Sequence, residues 1–371
     1  MRFGTDGVRG VANRELTPEL VLALGRAAAR VFGAERMLVG RDTRVSGPFL
    51  QAALAAGLMA EGVAVADLGV LPTPGVAWLS AAEGQPGAVI SASHNPFEDN
   101  GIKFFAAGGR KLSDEVEARL EAELDRLLSI GPGARLPGPT GAGVGTLLLN
   151  GGHDRYVDWL VDGLPAGALA GLSVVLDCAN GAAWEVAPEV FRRLGAVVHV
   201  IHDTPDGRNI NDGCGSTHPG DLQVEVVARG ADVGLAFDGD ADRVLAVDGA
   251  GRLVDGDQLI ALLALDRQAA GRLPDTTVVV TVMANLGFRQ AMKAAGIHLV
   301  ETDVGDRYVL EALEKGGWTL GGEQSGHVIF RDLATTGDGI LTGLQVLGVV
   351  VRSGRSLAEL ASVVVRRPQI L

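Results

Sequence analysis

Residues 87–105 read GAVISASHNPFEDNGIKFF, and the organisation of the chain is clearest from this stretch. The apolar run at residues 88–90 is typical of a buried strand. In the polar loop that follows, Pro96 restricts its own φ and disfavours helix at the residue before it, so the loop has a defined shape. A strand that leads to the hydroxyl of Ser93 beside the imidazole of His94 indicates a nucleophile or a phosphate site. Ordinary turns use the same residue types, and this stretch alone leaves both interpretations open.

The chain repeats one pattern three times. Each copy is a strand, a helix and a second strand of roughly 30 to 36 residues, the size of a βαβ crossover. The predicted segments are 37–40, 49–61 and 63–68, then 173–176, 184–194 and 196–201, then 277–282, 287–295 and 297–300. Each copy is followed by a further strand and a polar loop, at residues 91–96, 238–243 and 322–327. The predicted fold class is α/β, with three consecutive related domains whose mixed, mostly parallel sheets are sandwiched by helices. Because ligands of such sheets bind beyond the carboxyl ends of the strands, we expect the three loops to face one cleft.

Composition marks the domain boundaries. Residues 129–152 are rich in Gly and Pro and are typical of a linker after the first domain. Residues 248–251, DGAG, predict a hairpin turn that ends the second domain. The predicted domains are 1–150, 151–252 and 253–371. Helices are also predicted over residues 20–32, 257–270 and 356–365.

Composition also excludes some classes of protein. The 371 residues are 47% hydrophobic and 21% charged, with a formal net charge of −13 at pH 7. This balance is typical of a soluble globular protein and argues against broad binding to nucleic acid or to anionic membranes. Cys178 and Cys214 form no motif and are expected to be free thiols. No apolar run is long enough to span a bilayer, and the charged N-terminus does not resemble a signal peptide, so we expect a cytoplasmic protein.

The second loop, DGDADR at residues 238–243, predicts a metal site. Asp238, Asp240 and Asp242 alternate along an extended segment, and their carboxylates repel one another unless a cation lies between them. Hard oxygen ligands favour Mg²⁺, which completes its shell with water or phosphate oxygen. The spacing does not fit an EF-hand. A solvated acidic turn is the alternative explanation.

The third loop, GEQSGH at residues 322–327, suits a sugar. The carboxylate of Glu323 and the hydroxyl of Ser325 lie between glycines that let the backbone come close, although a Gly-rich turn without a site has the same composition. The cations that could bind phosphate are Arg9, Arg41, Arg44, Lys103, Arg243 and Arg307. Arg41 and Arg44 are equally well explained as solvated charges.

Four motifs, in this order and spacing, resemble those of the α-D-phosphohexomutase family. They are FGTDGVRG at 3–10, SASHNP with NGIKFF at 91–105, DGDADR at 238–243 and GEQSGH at 322–327. The resemblance extends from Arg2 to the last residue. It implies an isomerase that interconverts glucosamine 6-phosphate and glucosamine 1-phosphate through a phosphoserine and a 1,6-bisphosphate. Such a reaction feeds the synthesis of UDP-N-acetylglucosamine and cell-wall precursors.

The resemblance also implies roles for individual residues. The catalytic residues that it implies are the phosphoserine Ser93, His94 beside it, the general base Lys103, and Arg9, which steadies the transferring phosphoryl group. The implied metal ligands are an oxygen of phosphorylated Ser93 and the side chains of Asp238, Asp240 and Asp242, with Mg²⁺ as the metal. The implied substrate-binding residues are Arg243, Glu323, Ser325, His327 and Arg307. Glucosamine 1,6-bisphosphate, or a similar compound, is the implied activator.

Two alternatives share these motifs. A mutase for mannose or glucose phosphates is one, although Gln324 resembles the subgroup that acts on glucosamine, where the other subgroup tends to carry Met. A non-catalytic protein that binds sugar phosphates is the other.

The family has a fourth, phosphate-binding domain for which this sequence shows no counterpart. Residues 366–369, RRPQ, resemble the hinge that leads into it. We therefore expect metal binding to be retained and mutase turnover to be low. The resemblance also implies a possible homodimer formed through the first domain.

Overall fold

The computed structural model describes residues 7–130 and 137–369. Parts of three predicted segments lie outside the described residues: residues 3–6 of the first motif, 131–136 of the predicted linker, and the last two residues of the predicted third domain. The chain divides into two compact units. Unit 1 comprises Met1–Tyr156 with Pro205–Ile210, and unit 2 comprises Val157–Thr204 with Asn211–Leu371. The domain boundaries drawn from the sequence stay a prediction.

Unit 1 contains one six-stranded sheet. Its strands are β1 (Val8–Val11), β2 (Arg36–Arg41), β3 (Ala64–Val70), β4 (Gly87–Ile90), β5 (Asp99–Phe105) and β6 (Leu147–Leu149). They lie in the order β1-β5-β4-β2-β3-β6, and β5 is antiparallel to both of its neighbours while the other pairs are parallel. The helices are α1 (Pro18–Phe32), α2 (Gly47–Ala60), α3 (Thr73–Glu83) and α4 (Asp114–Leu128). Aliphatic side chains from α1, α2, α4 and the sheet form the core of this unit.

Unit 2 contains two sheets. The strands of the five-stranded sheet are β7 (Ser173–Asp177), β8 (Val197–Ile201), β9 (Val233–Phe237), β10 (Val244–Asp248) and β11 (Leu253–Val254), and those of the four-stranded sheet are β12 (Thr277–Thr281), β13 (His298–Thr302), β14 (Leu320–Gly322) and β15 (Val328–Phe330). The helices are α6 (Ala183–Arg193), α7 (Gly220–Arg229), α8 (Gly256–Ala269), α9 (Leu286–Ala294), α10 (Asp306–Gly316), α11 (Gly339–Ser353) and α12 (Leu357–Ala361). The remaining helix, α5 (His153–Asp162), contains the point where the units divide.

One four-strand arrangement occurs in all three sheets. The first strand of each copy pairs in parallel with the second and the third strands, and the fourth strand is antiparallel to the third. The sets are β2-β3-β4-β5, β7-β8-β9-β10 and β12-β13-β14-β15. In each copy the predicted polar loop joins the third strand to the fourth. The α/β fold class and the three related domains are therefore confirmed.

The ends of the helices follow from short-range chemistry. Thr17 caps α1 by accepting a hydrogen bond from the backbone N–H of Leu20, and Pro18 occupies the first helical position. The helix ends where Gly33 adopts a left-handed φ of 60°. At α8, Asp255 and Gln258 form a reciprocal capping box.

Three predicted segments differ from the structure. The predicted linker contains β6, a three-residue edge strand that is too short to show a periodic pattern. The third predicted loop overlaps a strand, because Gly322, its first predicted residue, is the last residue of β14. The predicted last helix ends at Ala361, and the chain beyond it bonds elsewhere: the N–H of Arg367 donates to the side chain of Asn285. Within the part of the chain that the structure describes, no helix is long and apolar enough to cross a membrane.

Candidate active site

The first loop holds Ser93 on a strained backbone. Ser93 is 2% exposed and has a φ of 52°, in the left-handed region. A residue other than glycine adopts that conformation at a cost of about 1–3 kcal/mol, and it persists where the surrounding structure fixes it. The Oγ atom lies 3.5 Å from Nδ1 of His94. The structure thus places the two predicted catalytic residues of this loop side by side.

Lys103 and Arg9 lie on the neighbouring strands of unit 1. Lys103 on β5 is opposite Val89 on β4, and Arg9 on β1 is opposite Gly101 on β5. Since residues two apart on a strand share a face, Arg9 and Lys103 point to the same side of the sheet. Lys103 is 6% exposed. The four predicted catalytic residues therefore lie on β1, on β5 and in the loop that joins β4 to β5.

Arg44 is not the solvated charge that the sequence allowed. Its side chain is fully buried and pairs with Asp42 at 2.9 Å. The same guanidinium donates hydrogen bonds to backbone carbonyl groups of the Ser93 loop, namely those of Ser93, Asn95, Pro96 and Asp99. The buried guanidinium thus holds the loop by hydrogen-bonding to its backbone carbonyl groups.

The second loop brings three carboxylates together in unit 2. One carboxylate oxygen each from Asp238, Asp240 and Asp242 lies within 4.8 Å of the others, and all three residues are buried. The loop turns at Ala241, whose φ is 58°. Three buried like charges at this separation fit a divalent cation, and carboxylate oxygens are the ligands that Mg²⁺ prefers. A solvated acidic turn does not describe this loop, because Asp238 and Asp240 are fully buried.

The backbone of the second loop is held from several elements. The N–H of Ala182, at the start of α6, donates to the carbonyl of Gly239 at 2.8 Å. The N–H of Gly339, the first residue of α11, donates to the carbonyl of Ala241 at 2.9 Å. A Cβ at Gly339 would lie 2.4 Å from the carbonyl oxygen of Arg243, so only glycine allows this approach. The carboxylates thus lie on a rigid backbone.

The third loop contacts the second. The N–H of Val244 donates to the carbonyl of Gly326 at 3.1 Å. His327, predicted to bind substrate, is buried, with Nδ1 3.7 Å from Asp242 and Nε2 3.5 Å from Asp306. Burial alone would lower the pKa of His327, but Asp242 and Asp306 raise that pKa above its ordinary value. The buried imidazole of His327 therefore joins the third loop to the second through Asp242.

The other predicted substrate residues lie in unit 2 as well. Glu323 accepts a hydrogen bond from the N–H of Gly305 at 3.2 Å, and Ser325 is exposed at the tip of the loop. Arg307 lies in the first turn of α10 and pairs with Glu311 at 3.0 Å. Burial lowers the pKa of Arg243, but the carboxylates around it, Asp242 foremost, raise the pKa above its ordinary value. The guanidinium thus stays charged beside the acidic cluster.

A second cluster lies elsewhere in unit 2. Asp177, His202 and Cys214 each place one ligand atom within 4.8 Å of the others. Both carboxylate oxygens of Asp177 accept backbone N–H groups, from Ala179 at 2.9 Å and Gly215 at 2.8 Å, and Oδ1 lies 3.0 Å from Nδ1 of His202. Burial, followed by Asp177, raises the pKa of Cys214 to about 12. This cluster therefore shapes the loop after β8, with Cys214 as a neutral thiol.

The sequence matches all three α/β/α domains of the phosphoglucomutase/phosphomannomutase family. Domain I matches residues 1–129, domain II matches residues 154–251 and domain III matches residues 255–367. The chain belongs to this family, whose members are isomerases.

Comparison with individual proteins shows which members of this family the chain is similar to. A phosphoglucosamine mutase from Desulforudis audaxviator is 56% identical over 100% of this chain and 82% of its own length. One from Moorella thermoacetica is 56% identical over 100% of this chain and 83% of its own length. A solved structure of a phosphoglucomutase/phosphomannomutase family protein from Burkholderia thailandensis is 28% identical, with a TM-score of 0.82 over 97% of this chain and 79% of that chain. The whole chain is thus similar to phosphoglucosamine mutases.

Sequence reasoning missed the residues that act at long range. Asp306 contacts His327 from a different segment, and Gly339 supports the second loop from about a hundred residues away. Arg44 was considered only as a phosphate-binding or a solvated charge, although it lies in the loop that follows β2, beyond the end of a parallel strand where functional loops gather.

Proposed function

We propose that this chain is a phosphoglucosamine mutase that interconverts glucosamine 6-phosphate and glucosamine 1-phosphate. The observation that carries the proposal is the buried cluster of Asp238, Asp240 and Asp242, joined to the third loop through His327. The relatives support the choice of sugar, since phosphoglucosamine mutases 54–57% identical to this chain match its full length. Gln324 in the third loop is consistent with the same sugar.

In the proposed reaction Ser93 carries the phosphoryl group. The P–Oγ bond of phospho-Ser93 breaks as a P–O bond forms to O1 of glucosamine 6-phosphate. Lys103 accepts the proton of that hydroxyl, and the departing Oγ of Ser93 gains a proton in its place. The resulting 1,6-bisphosphate then returns its 6-phosphoryl group to Ser93, whose proton moves to O6, and glucosamine 1-phosphate remains. Positioning and neutralisation of charge supply most of the rate in such transfers.

In the proposed reaction the charge of the phosphoserine has to be balanced by cations. A phosphoserine carries about −1.5 to −2 charges, and three aspartates add to it. Mg²⁺ held by Asp238, Asp240 and Asp242 would neutralise part of this charge and polarise the phosphoryl oxygens. Arg9 is proposed to steady the transferring group and His94 to assist beside Ser93.

A hexosamine 1,6-bisphosphate is the proposed activator, while a homodimer and a cytoplasmic location stay predictions.

Glu323, Ser325, Arg243 and Arg307 are proposed to bind the substrate. Glu323 and Ser325 suit the sugar hydroxyls, and the two arginines suit its phosphate. The buried position of His327 favours orientation of Asp242 rather than direct contact with the sugar. Relative rates on glucosamine, mannose and glucose phosphates would separate this proposal from a mutase for the other sugars.

The test is the intact mass of the chain before and after incubation with Mg²⁺ and glucosamine 1,6-bisphosphate. We expect a gain of the mass of one phosphate, absent in Ser93→Ala and strongly slowed in Asp240→Asn. Ser80→Ala, which removes another buried serine hydroxyl of unit 1, is the matched control and should gain phosphate normally. If phosphosugar binds equally well to Ser93→Ala and the native chain gains no phosphate, the protein is a binding protein and the proposal is wrong.

A further inference from the structure

Arg44 makes an unusual set of contacts. Its Nη2 donates to the carbonyl groups of Ser93 and Asn95, both at 2.9 Å. Its Nη1 donates to the carbonyl groups of Pro96 and Asp99, the latter at 3.0 Å. These four carbonyl groups are distributed along the loop between β4 and β5. A single planar guanidinium therefore donates hydrogen bonds to four backbone carbonyl groups of the segment that carries Ser93.

The remaining guanidinium donor ties this set to Asp42. Nε of Arg44 donates to Oδ2 of Asp42 at 2.9 Å, and the backbone N–H of Arg44 donates to Oδ1 at 3.0 Å. Oδ2 also accepts a hydrogen bond from the hydroxyl of Ser91 at 2.6 Å. Because Asp42 pairs with the guanidinium and both side chains are fully buried, the charge of Arg44 is already compensated. A role in shaping the loop therefore fits better than a role in attracting phosphate.

Both backbone polar groups of Ser93 belong to this network. Its N–H donates to Oγ of Ser91 at 3.0 Å, and its carbonyl accepts from Arg44. Ser93 has a left-handed φ of 52°, a conformation that persists only where the surroundings fix it. With both flanking peptide groups fixed, the direction of the Cα–Cβ bond, and with it the reach of the hydroxyl, is set.

We propose that Arg44 is the positioning residue of the phosphoryl-carrying serine, holding Ser93 in its left-handed conformation through the loop carbonyls and through Asp42 and Ser91. This inference rests on the proposed function of Ser93. Lysine cannot replace Arg44, because an ammonium group has three donors on one atom and cannot reach acceptors on both sides of a planar fork.

The test compares Arg44→Lys with the native chain in the phosphorylation of Ser93 by glucosamine 1,6-bisphosphate and Mg²⁺, followed by intact mass. We expect the rate at saturating bisphosphate to fall roughly 30- to 100-fold, since a misplacement of about 1 Å costs about 10²-fold. The bisphosphate concentration that gives half the maximal rate should change less than about threefold, because Arg44 does not contact the sugar. This division between rate and affinity separates positioning from general damage to the fold.

Arg30→Lys is the matched control. Arg30 is a partly buried arginine of the same unit that pairs with Glu61 at 2.9 Å and Glu123 at 3.0 Å. Its replacement should lower the melting temperature while the phosphorylation rate stays within about twofold of native. A native rate in Arg44→Lys, or an equal loss of rate in Arg30→Lys, would overturn the inference.

Ser91→Ala provides a second variant if Arg44→Lys does not fold. It removes the acceptor for the N–H of Ser93 but leaves the guanidinium in place, and the expected loss of rate is roughly three- to tenfold. An unchanged rate in this variant contradicts the positioning network. The proposed function fails in a different way, since the native chain itself would then gain no phosphate.

Discussion

At the scale of single residues, buried charges differ in how far their neighbours compensate them. Arg44 is compensated by Asp42 and by loop carbonyls. Asp257, in the first turn of α8, is also buried, but one carboxylate oxygen accepts the N–H of Asn285 at 2.7 Å and the other lacks a hydrogen-bond partner within the described residues. Burial, the largest cause, raises the pKa of Asp257 from 3.8 to about 6. The folded state therefore keeps the proton on this carboxyl up to a higher pH than the unfolded chain does.

This pKa predicts a specific dependence of stability on pH. Between about pH 4 and 6 the folded protein holds a proton at Asp257 that the unfolded chain has released, so the free energy of unfolding falls as the pH rises. The neutral variant Asp257→Asn lacks this dependence. Relative to the native chain, we expect it to gain about 2 kcal/mol between pH 4.5 and 7.5. Urea unfolding at both pH values measures the difference, and a constant difference would contradict the raised pKa.

At the scale of elements, the contact between α1 and α2 depends on two glycines. A Cβ at Gly25 would lie 2.3 Å from the carbonyl oxygen of Leu54, and a Cβ at Gly57 would lie 2.1 Å from that of Leu22. Both obstacles are backbone atoms that cannot rotate away. The helices therefore pack with their backbones in direct contact, and this contact supports the core of unit 1.

Gly57→Ala tests this packing. Alanine normally stabilises a helix relative to glycine by roughly 0.5–1 kcal/mol, but here the helices must separate, and overpacking of this kind costs about 1–3 kcal/mol. We expect a net loss in the free energy of unfolding. Gly220→Ala is the matched control, because the space around Gly220 is open at the start of α7. A gain in stability for Gly57→Ala, measured by urea denaturation, would show that the helices move apart easily.

At the scale of the whole molecule, three copies of one topology place different chemistry at the same point. The loop between the third and fourth strands carries a serine and a histidine in the first copy, three aspartates in the second, and a glutamate and a serine in the third. In the second copy, in unit 2, the three carboxylates repel one another, since one oxygen of each lies within 4.8 Å of the others. A cation bound there stabilises the folded chain by mass action.

Mg²⁺ should therefore raise the melting temperature, and Asp240→Asn should reverse the order of stability. Without metal, the variant has one repelling charge fewer and is expected to be more stable than the native chain. With Mg²⁺ at a hundred times its Kd, the native chain gains about 2.7 kcal/mol and the variant gains little. Asp154→Asn removes a carboxylate that is 93% exposed and should leave the Mg²⁺ effect unchanged. Equal Mg²⁺ shifts in Asp240→Asn and the native chain would rule out the cluster as the metal site.

Much of the fold and the core of the candidate site could be predicted from sequence. The three strand–helix–strand repeats were visible because apolar periodicity is a local property. The acidic cluster was visible because its three carboxylates lie within one short turn of the chain, so any compact conformation of that turn places them close together. The edge strand β6 was missed since three residues in a Gly/Pro-rich segment carry no periodic signal.

The sequence by itself determined the repeated α/β topology, the identity of the three loops and the acidic cluster, all of which depend on residues close together in the chain. Only the tertiary structure decided that Arg44 lies beneath the Ser93 loop, that His327 bridges Asp242 and Asp306, and that α11 supports the second loop. These contacts join segments far apart in sequence, and a buried polar group must find its partner wherever packing brings one within reach. The amino-acid composition and the spacing of motifs along the chain do not show which distant segments pack together.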